Sequence, residues 1–181
     1  MCLLHSGCSR IFDVGGHIGV GYYAYRRYLT YPASLRWTVY DVPAVVRQGR
    51  ELAQKMDPDG RLAFSDAFEG GDGADVLLAS GSLQYLPDTL ADRLKQLRAT
   101  PRHLLVNLLP VHERESYYTL QSIGTAFCPY RIFSAAAALT AYDSLGYSLV
   151  DTWENAEKRC DIPFHPGHSL DRYRGFYFRR D

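Results

Sequence analysis

A chain of 181 residues with 46% hydrophobic and 22% charged residues has the length and composition of one globular domain able to bury a substantial core. Its 20 basic and 20 acidic residues cancel, which argues against nucleic acid or a membrane surface as partner. The cysteines Cys2, Cys8, Cys128 and Cys160 are too scattered for a disulfide framework, no run approaches the ~18 apolar residues of a membrane span, and the N-terminus lacks a basic segment followed by an apolar core. Reduced thiols and a cytoplasmic location are therefore expected.

The first element is an apolar run, Ile11 to Val14, which stops at Gly15, Gly16, Gly19 and Gly21 before a Tyr/Ala/Arg/Leu segment compatible with helix as far as Pro32. This reads as strand, tight turn, helix. Glycines tolerate positive φ and let backbone approach a ligand, and the helix N-terminus offers unpaired N–H groups. Next, Leu35 to Tyr40 is β-rich and ends at Asp41, and a helix runs from Pro43 to Met56, with proline in its first turn, where the missing N–H costs nothing. After the Pro58-Asp59-Gly60 turn, Arg61 to Ser65 is a short strand ending at Asp66. A glycine loop at Gly70, Gly71 and Gly73 leads into the apolar strand Ala74 to Ser80, and a helix from about Asp88 to Arg98 sets Leu90, Leu94 and Leu97 on one face.

His103 to Leu109 is a continuous apolar run, as for a strand buried on both faces. Between Val111 and Tyr130 the pattern is weak; a helix there would carry Tyr117, Tyr118 and Gln121, either lining a pocket or packing as core. A helix from Ala135 to Leu145, stopped by Gly146, precedes two late strands, Tyr147 to Trp153 and Arg174 to Arg179. Strands alternating with helices imply a doubly wound, mostly parallel α/β sheet in a single domain, residues 1–181. The long loop from Asn155 to Tyr173 spaces Cys160, His165 and His168 as C-x4-H-x2-H. Three candidate ligands without a C-x-x-C pair, stiffened by Pro163 and Pro166, favour a proline-rich surface loop over zinc, and no metal is expected.

Three acids, Asp13, Asp41 and Asp66, fall at the carboxyl ends of successive strands. Ligands of open parallel sheets bind outside those ends. A carboxylate at Asp41 can accept both hydroxyls of a ribose, Asp66 can accept from an adenine amino group, and Asp13 can orient the glycine turn or receive an ammonium. The dinucleotide fingerprint G-x-G-x-x-G is out of register: Gly19-Val20-Gly21 is followed by Tyr22, Tyr23 and Ala24. A nicotinamide enzyme is thus a distant reading.

Asp13-x-Gly15-x-x-x-Gly19, Tyr40-Asp-Val-Pro-Ala-Val-Val46, Ser65-Asp-Ala-Phe68 and the stretch from Ala74 to Asp88 resemble, in order and spacing, class I S-adenosylmethionine-dependent methyltransferases. The Asp-Val-Pro element is similar to that of small-molecule O-methyltransferases. The resemblance, over Arg10 to Arg180, implies a Rossmann-like seven-stranded sheet of order 3-2-1-4-5-7-6 with a C-terminal antiparallel hairpin. It also implies S-adenosylmethionine as cofactor, bound by Asp13, Gly15, Gly16, Gly19, Asp41, Val42, Asp66, Ala67 and Ser80. The expected activity is methyl transfer to a small-molecule acceptor, at a hydroxyl; the alternative is a catalytically silent domain of the same fold.

The departures are specific. His17 stands where the family has its middle glycine, and its side chain is expected to point away from the cofactor. The family's general-base histidine is replaced by Leu83-Gln84-Tyr85, which leaves Gln84, Tyr85 and His112 as candidates for catalysis, His112 alone titrating near neutrality when unperturbed. Ser80-Gly81-Ser82 lacks the acids of the metal-dependent branch. Only nine residues precede Arg10, where the family places helices that cover the substrate pocket; either the chain is a shortened form or another subunit of a homo-oligomer covers the site.

Overall fold

The computed structural model describes residues 7–181; Cys2 and the start of the N-terminal segment lie outside them. The chain runs β1 (Arg10–Val14), α1 (Val20–Tyr25), β2 (Arg36–Tyr40), α2 (Pro43–Met56), β3 (Leu62–Ser65), β4 (Val76–Ser80), α3 (Leu90–Leu94), β5 (His103–Leu109), β6 (Val111–His112), β7 (Tyr117–Ser122), β8 (Phe127–Ser134), α4 (Ala135–Asp143), β9 (Tyr147–Asn155) and β10 (Tyr173–Arg180). Seven strands form one sheet in the order β3-β2-β1-β4-β5-β10-β9. β1 through β5 pair in parallel, and β10 runs antiparallel to both β5 and β9. This is the expected order, late hairpin included.

The period of two along each strand sends alternate side chains to two cores. On one face Phe12, Val14, Leu77, Leu104, Val106 and Phe178 pack under α3 and α4. On the other, Ile11, Trp37, Val39 and Phe64 pack against Tyr22 of α1 and Val46 of α2. The carboxyl ends of β1 to β4 therefore lie side by side along one edge, which sets the turns after them next to each other.

Two expectations need correction. The helix expected over 88–98 is only Leu90–Leu94: Thr89 Oγ1 caps it by accepting from Asp92 N at 3.1 Å, and the Asp72 carboxylate draws the N–H groups of Arg98 and Ala99 out of helical bonding (2.7 and 3.3 Å). Leu97 is still buried. The second is larger. Tyr117, Tyr118 and Gln121 lie not on a helix but on β7, which turns at Ile123 to Ala126 and pairs antiparallel with β8, giving a small sheet of order β6-β8-β7. Tyr-Tyr-Thr-Leu-Gln-Ser alternates half-buried and exposed along its length, which is strand patterning.

Helix α2 crosses β3 where Gly49 has no side chain: a Cβ there would stand 2.2 Å from Phe64 Cε1. Alanine in a helix interior is ordinarily favoured over glycine by about 1 kcal/mol, but here the overlap forces Phe64 or the helix to move. Gly49→Ala is expected to destabilise the protein by roughly 1–3 kcal/mol, read as a lower urea midpoint; a stabilised variant would mean that the α2–β3 contact is looser than described.

Candidate functional site

The turn after β1 is built on glycine for two separate reasons. Gly15 and Gly19 have φ of 73° and 93°, a region closed to most side chains. Gly16 is required by what lies beneath it, since a Cβ there would stand 2.4 Å from Asp13 Oδ2. A Cβ on Gly15 would likewise meet Ser82 Cβ at 2.3 Å, and Ser82 Oγ donates to Val14 O at 2.5 Å. The loop after β4 is thus locked onto the end of β1. Gly19 caps α1 and sends its N–H to Gly16 O (3.1 Å).

Asp13 is buried at 4% exposure, and its Oδ2 accepts the indole N–H of Trp37 on β2 at 3.1 Å. Burial pushes its pKa from 3.8 up to about 6, with the Trp37 hydrogen bond opposing and the Asp41 charge adding to the rise. Asp41, half-buried at the end of β2, accepts from two backbone donors: His17 N at 3.0 Å on Oδ2 and Val42 N at 2.8 Å on Oδ1. One carboxylate thus joins the glycine turn to the start of α2. His17 takes φ of 55° and is exposed. Histidine is among the residues enriched in this left-handed region.

Asp66 is exposed after β3, and Ala67 gives its N–H to Ser65 Oγ at 3.1 Å. Ser80, exposed at the end of β4, accepts from Asn107 Nδ2 at 3.4 Å, and Asn107 Oδ1 in turn accepts from Trp153 Nε1 (2.9 Å) and Asn155 Nδ2 (3.1 Å). The expected cofactor residues therefore follow β1, β2, β3 and β4 along one edge. The Trp37 and Ser82 contacts that hold them were not anticipated; neither leaves a spacing motif, because each joins residues brought together only by strand pairing.

The catalytic candidates fare differently. His112 Nδ1 lies 3.3 Å from both Arg114 N and Glu115 N, and Nε2 lies 3.1 Å from Gly167 O. Those partners fit a proton on Nε2 and an accepting Nδ1 lone pair, so His112 links β6 to the late loop. Tyr85 donates to Gln121 Oε1, its ring meets Tyr130 edge-on, and burial raises its pKa. Gln84 is buried at 4% and reaches the Tyr130 hydroxyl, which pairs with Tyr173 at 2.8 Å, while its Oε1 has no partner among the described residues. The hairpin β7–β8, unforeseen in the sequence, thus lies over the turn after β4.

The late loop separates its metal-binding letters: the Cys160 backbone pairs with Leu170, whereas His168 stacks on His112 and His165 meets His168 edge-on. Among the described residues no three His, Cys, Asp or Glu come close enough to hold a metal ion, and no helix is long and apolar enough to cross a membrane.

No protein-family model and no curated protein matches the sequence. Solved structures do match. The mitomycin 7-O-methyltransferase MmcR aligns over 97% of this chain and 50% of its own, at 21% identity and a TM-score of 0.61. The chain has the class I methyltransferase fold. An S-adenosylmethionine-dependent methyltransferase from Mesorhizobium loti aligns over 96% of this chain and 91% of its own, at 13% identity and TM-score 0.62. The 1,6-didemethyltoxoflavin-N1-methyltransferase of Burkholderia thailandensis, solved with S-adenosylhomocysteine, aligns over 99% and 75%, at 21% identity and TM-score 0.56. This methyltransferase fold spans about half the length of MmcR.

The state of Asp13 gives a sign to the pH dependence. Its pKa is higher folded (about 6) than at the ordinary value of 3.8, so between the two the folded chain holds a proton that the unfolded chain has released. Stability therefore falls as pH rises through this window, by about 3 kcal/mol in full. Asp13→Asn keeps an acceptor for Trp37 and removes the ionisation. Urea titrations should find this variant more stable than the parent at pH 7, with the difference gone near pH 4. A constant difference across that range would contradict the buried carboxylate.

Proposed function

We propose that the chain is an S-adenosylmethionine-dependent methyltransferase acting on a small molecule, at a hydroxyl that ionises readily. The observation that carries this is the Asp41 carboxylate at the end of β2, bound to the glycine turn through His17 N. Two backbone donors use only part of its acceptor capacity, and the remainder suits the paired hydroxyls of a ribose. Asp66 offers a neighbouring carboxylate to an adenine amino group. The N–H groups of Gly16 and Ile18, without acceptors among the described residues, suit the carboxylate of a methionine moiety. The donor set thus fits the cofactor.

When bound, the sulfonium supplies an activated methyl group. The chain's share of the work is to hold the acceptor in line at near-attack distance. Among the described candidates no unencumbered base stands ready: His112 bonds to backbone partners, and partial burial raises the Tyr85 pKa. An acceptor that is already a good nucleophile, an acidic hydroxyl or an amine, fits this better than an aliphatic alcohol. Gln84 and Tyr85 are assigned to orienting it. The second reading, a catalytically silent domain, is favoured by the service Asp41 already gives to the protein's own N–H groups.

Calorimetry separates these readings. S-adenosylhomocysteine is expected to bind and NAD not to. Asp41→Ala should weaken S-adenosylhomocysteine by about 1–3 kcal/mol, roughly 5- to 150-fold. Equal affinity in a folded Asp41→Ala chain would remove Asp41 from the cofactor site. No binding by the parent would leave the silent domain.

His17→Gly tests the turn itself. Glycine relieves the left-handed strain of about 1 kcal/mol, and loss of an exposed ring costs no packing. Affinity for S-adenosylhomocysteine should stay within about threefold of the parent or rise. Binding by His17→Gly alone would show that the imidazole plugs the site.

A further inference from the structure

A second cleft, of about 580 Å³, lies where α3 ends and β5 begins. It sits at the opposite edge of the sheet from the glycine turn. Arg102 precedes β5, which runs parallel to β4 and so to β1, while Arg180 closes the antiparallel β10. Behind it lie the buried Leu94 and Leu97, Leu145 is half-exposed to it, and its rim carries Lys95, Arg98, Arg102 and Arg180 with Asp181. The volume is that of a small-molecule site.

Charge on this rim is only partly cancelled locally. Lys95 is 3.1 Å from Asp92, Arg98 is 4.0 Å from Asp72, and Asp181 lies 3.9 Å from Arg179. Arg102 and Arg180 have no carboxylate partner among the described residues. They are nonetheless held together: Arg180 N donates to Arg102 O at 2.9 Å, Arg102 Nε to Arg180 O at 3.2 Å, and Arg180 Nη1 to Thr100 Oγ1 at 2.5 Å. Like charges directly opposite across paired strands repel. The field is felt inside the protein, where His103 is held below its ordinary pKa by burial first and then by Arg102 and Arg179.

We propose that this cleft binds a phosphorylated small molecule, with its phosphate on Arg102 and Arg180 and its organic body against Leu145 and the aliphatic stems of Lys95 and Arg98. Guanidinium forks match phosphate oxygens two at a time, and a doubly charged anion relieves the repulsion between the arginines. Leu145 and the stems favour a ligand with an organic portion over inorganic phosphate alone. The cleft is remote from the glycine turn and independent of methyl transfer.

Calorimetry on the full chain at low ionic strength, with 1-naphthyl phosphate, inorganic phosphate and 1-naphthol as probes, tests this. The naphthyl phosphate should bind at least threefold tighter than inorganic phosphate, and naphthol should bind least. Arg102→Ser with Arg180→Ser should weaken naphthyl phosphate at least tenfold. Because those arginines also bond the strand ends, the exposed pair Lys95→Glu with Arg98→Glu provides a second variant, expected to lose at least fivefold in affinity while melting as the parent does. Any of three results overturns the proposal: no heat with naphthyl phosphate, naphthol or inorganic phosphate binding as tightly as naphthyl phosphate, or unchanged affinity in the charge-reversed variant.

Discussion

A carboxylate buried beneath a glycine turn organises the working edge of this sheet. Asp13 points inward from the end of β1, where it is 4% exposed and accepts the Trp37 N–H. A charged group in that position is costly, and the turn packed directly on top of it adds to the burial that raises its pKa. Only glycine at 16 permits the approach. The turn, so fixed, delivers the His17 N–H to Asp41, and Asp41 in turn holds the start of α2 through Val42. From β1 to α2 the edge is therefore one connected set of hydrogen bonds, and the groups left over on it are those a nucleoside could use.

The fold was legible in the sequence because its signals are local. Apolar runs of strand length, each stopped by an acid, glycine or proline, alternate with helical segments, and the His103 to Leu109 run is recovered to the residue as β5. The acids at 13, 41 and 66 were legible for the same reason: each sits one step from a strand end. The hairpin β7–β8 was not, although Tyr117 to Ser122 alternates correctly, because six residues of aromatic and polar character fit a helix face equally well until a pairing partner is known. Trp37, Ser82 and Asn107 were missed for a different reason. Their roles depend on strand register, which places Asp13 opposite Val39 and Ser80 opposite Asn107, and register leaves no mark in spacing.

The same hairpin packs on the turn after β4. Where the family resemblance leads one to look for a base after β4, this chain has Gln84 and Tyr85, and both are absorbed into a set of aromatic and amide contacts with Gln121 and Tyr130. Tyr130 continues to Tyr173 at the start of β10, so the hairpin is tied to the main sheet through phenols whose pKa values burial drives upward, Tyr130 to about 12. Such a lining offers hydrogen bonds and flat surfaces but no proton sink near neutrality. Its one unsatisfied member, Gln84 Oε1, is an acceptor, and a buried acceptor without a donor costs about 1–3 kcal/mol. That cost is recoverable only by a donor reaching the turn after β4.

Charge balance over the whole chain conceals how charge is distributed along the sheet. Equal numbers of acids and bases argue against a polyanion binding everywhere, but they say nothing about either edge by itself. At the carboxyl edge the groups beside the glycine turn are Asp13, Asp41 and Asp66; at the amino edge of β5 they are Arg102 and Arg180, with Arg98 and Lys95 beside them. Strand direction produces the separation, because parallel strands bring all their ends of one kind together, and residues that are far apart in sequence then add their fields. With a screening length of about 8–10 Å at physiological salt, the two edges act as independent surfaces, one suited to cationic and nucleoside groups, the other to anions. Net charge is a property of the chain, but recognition is a property of an edge.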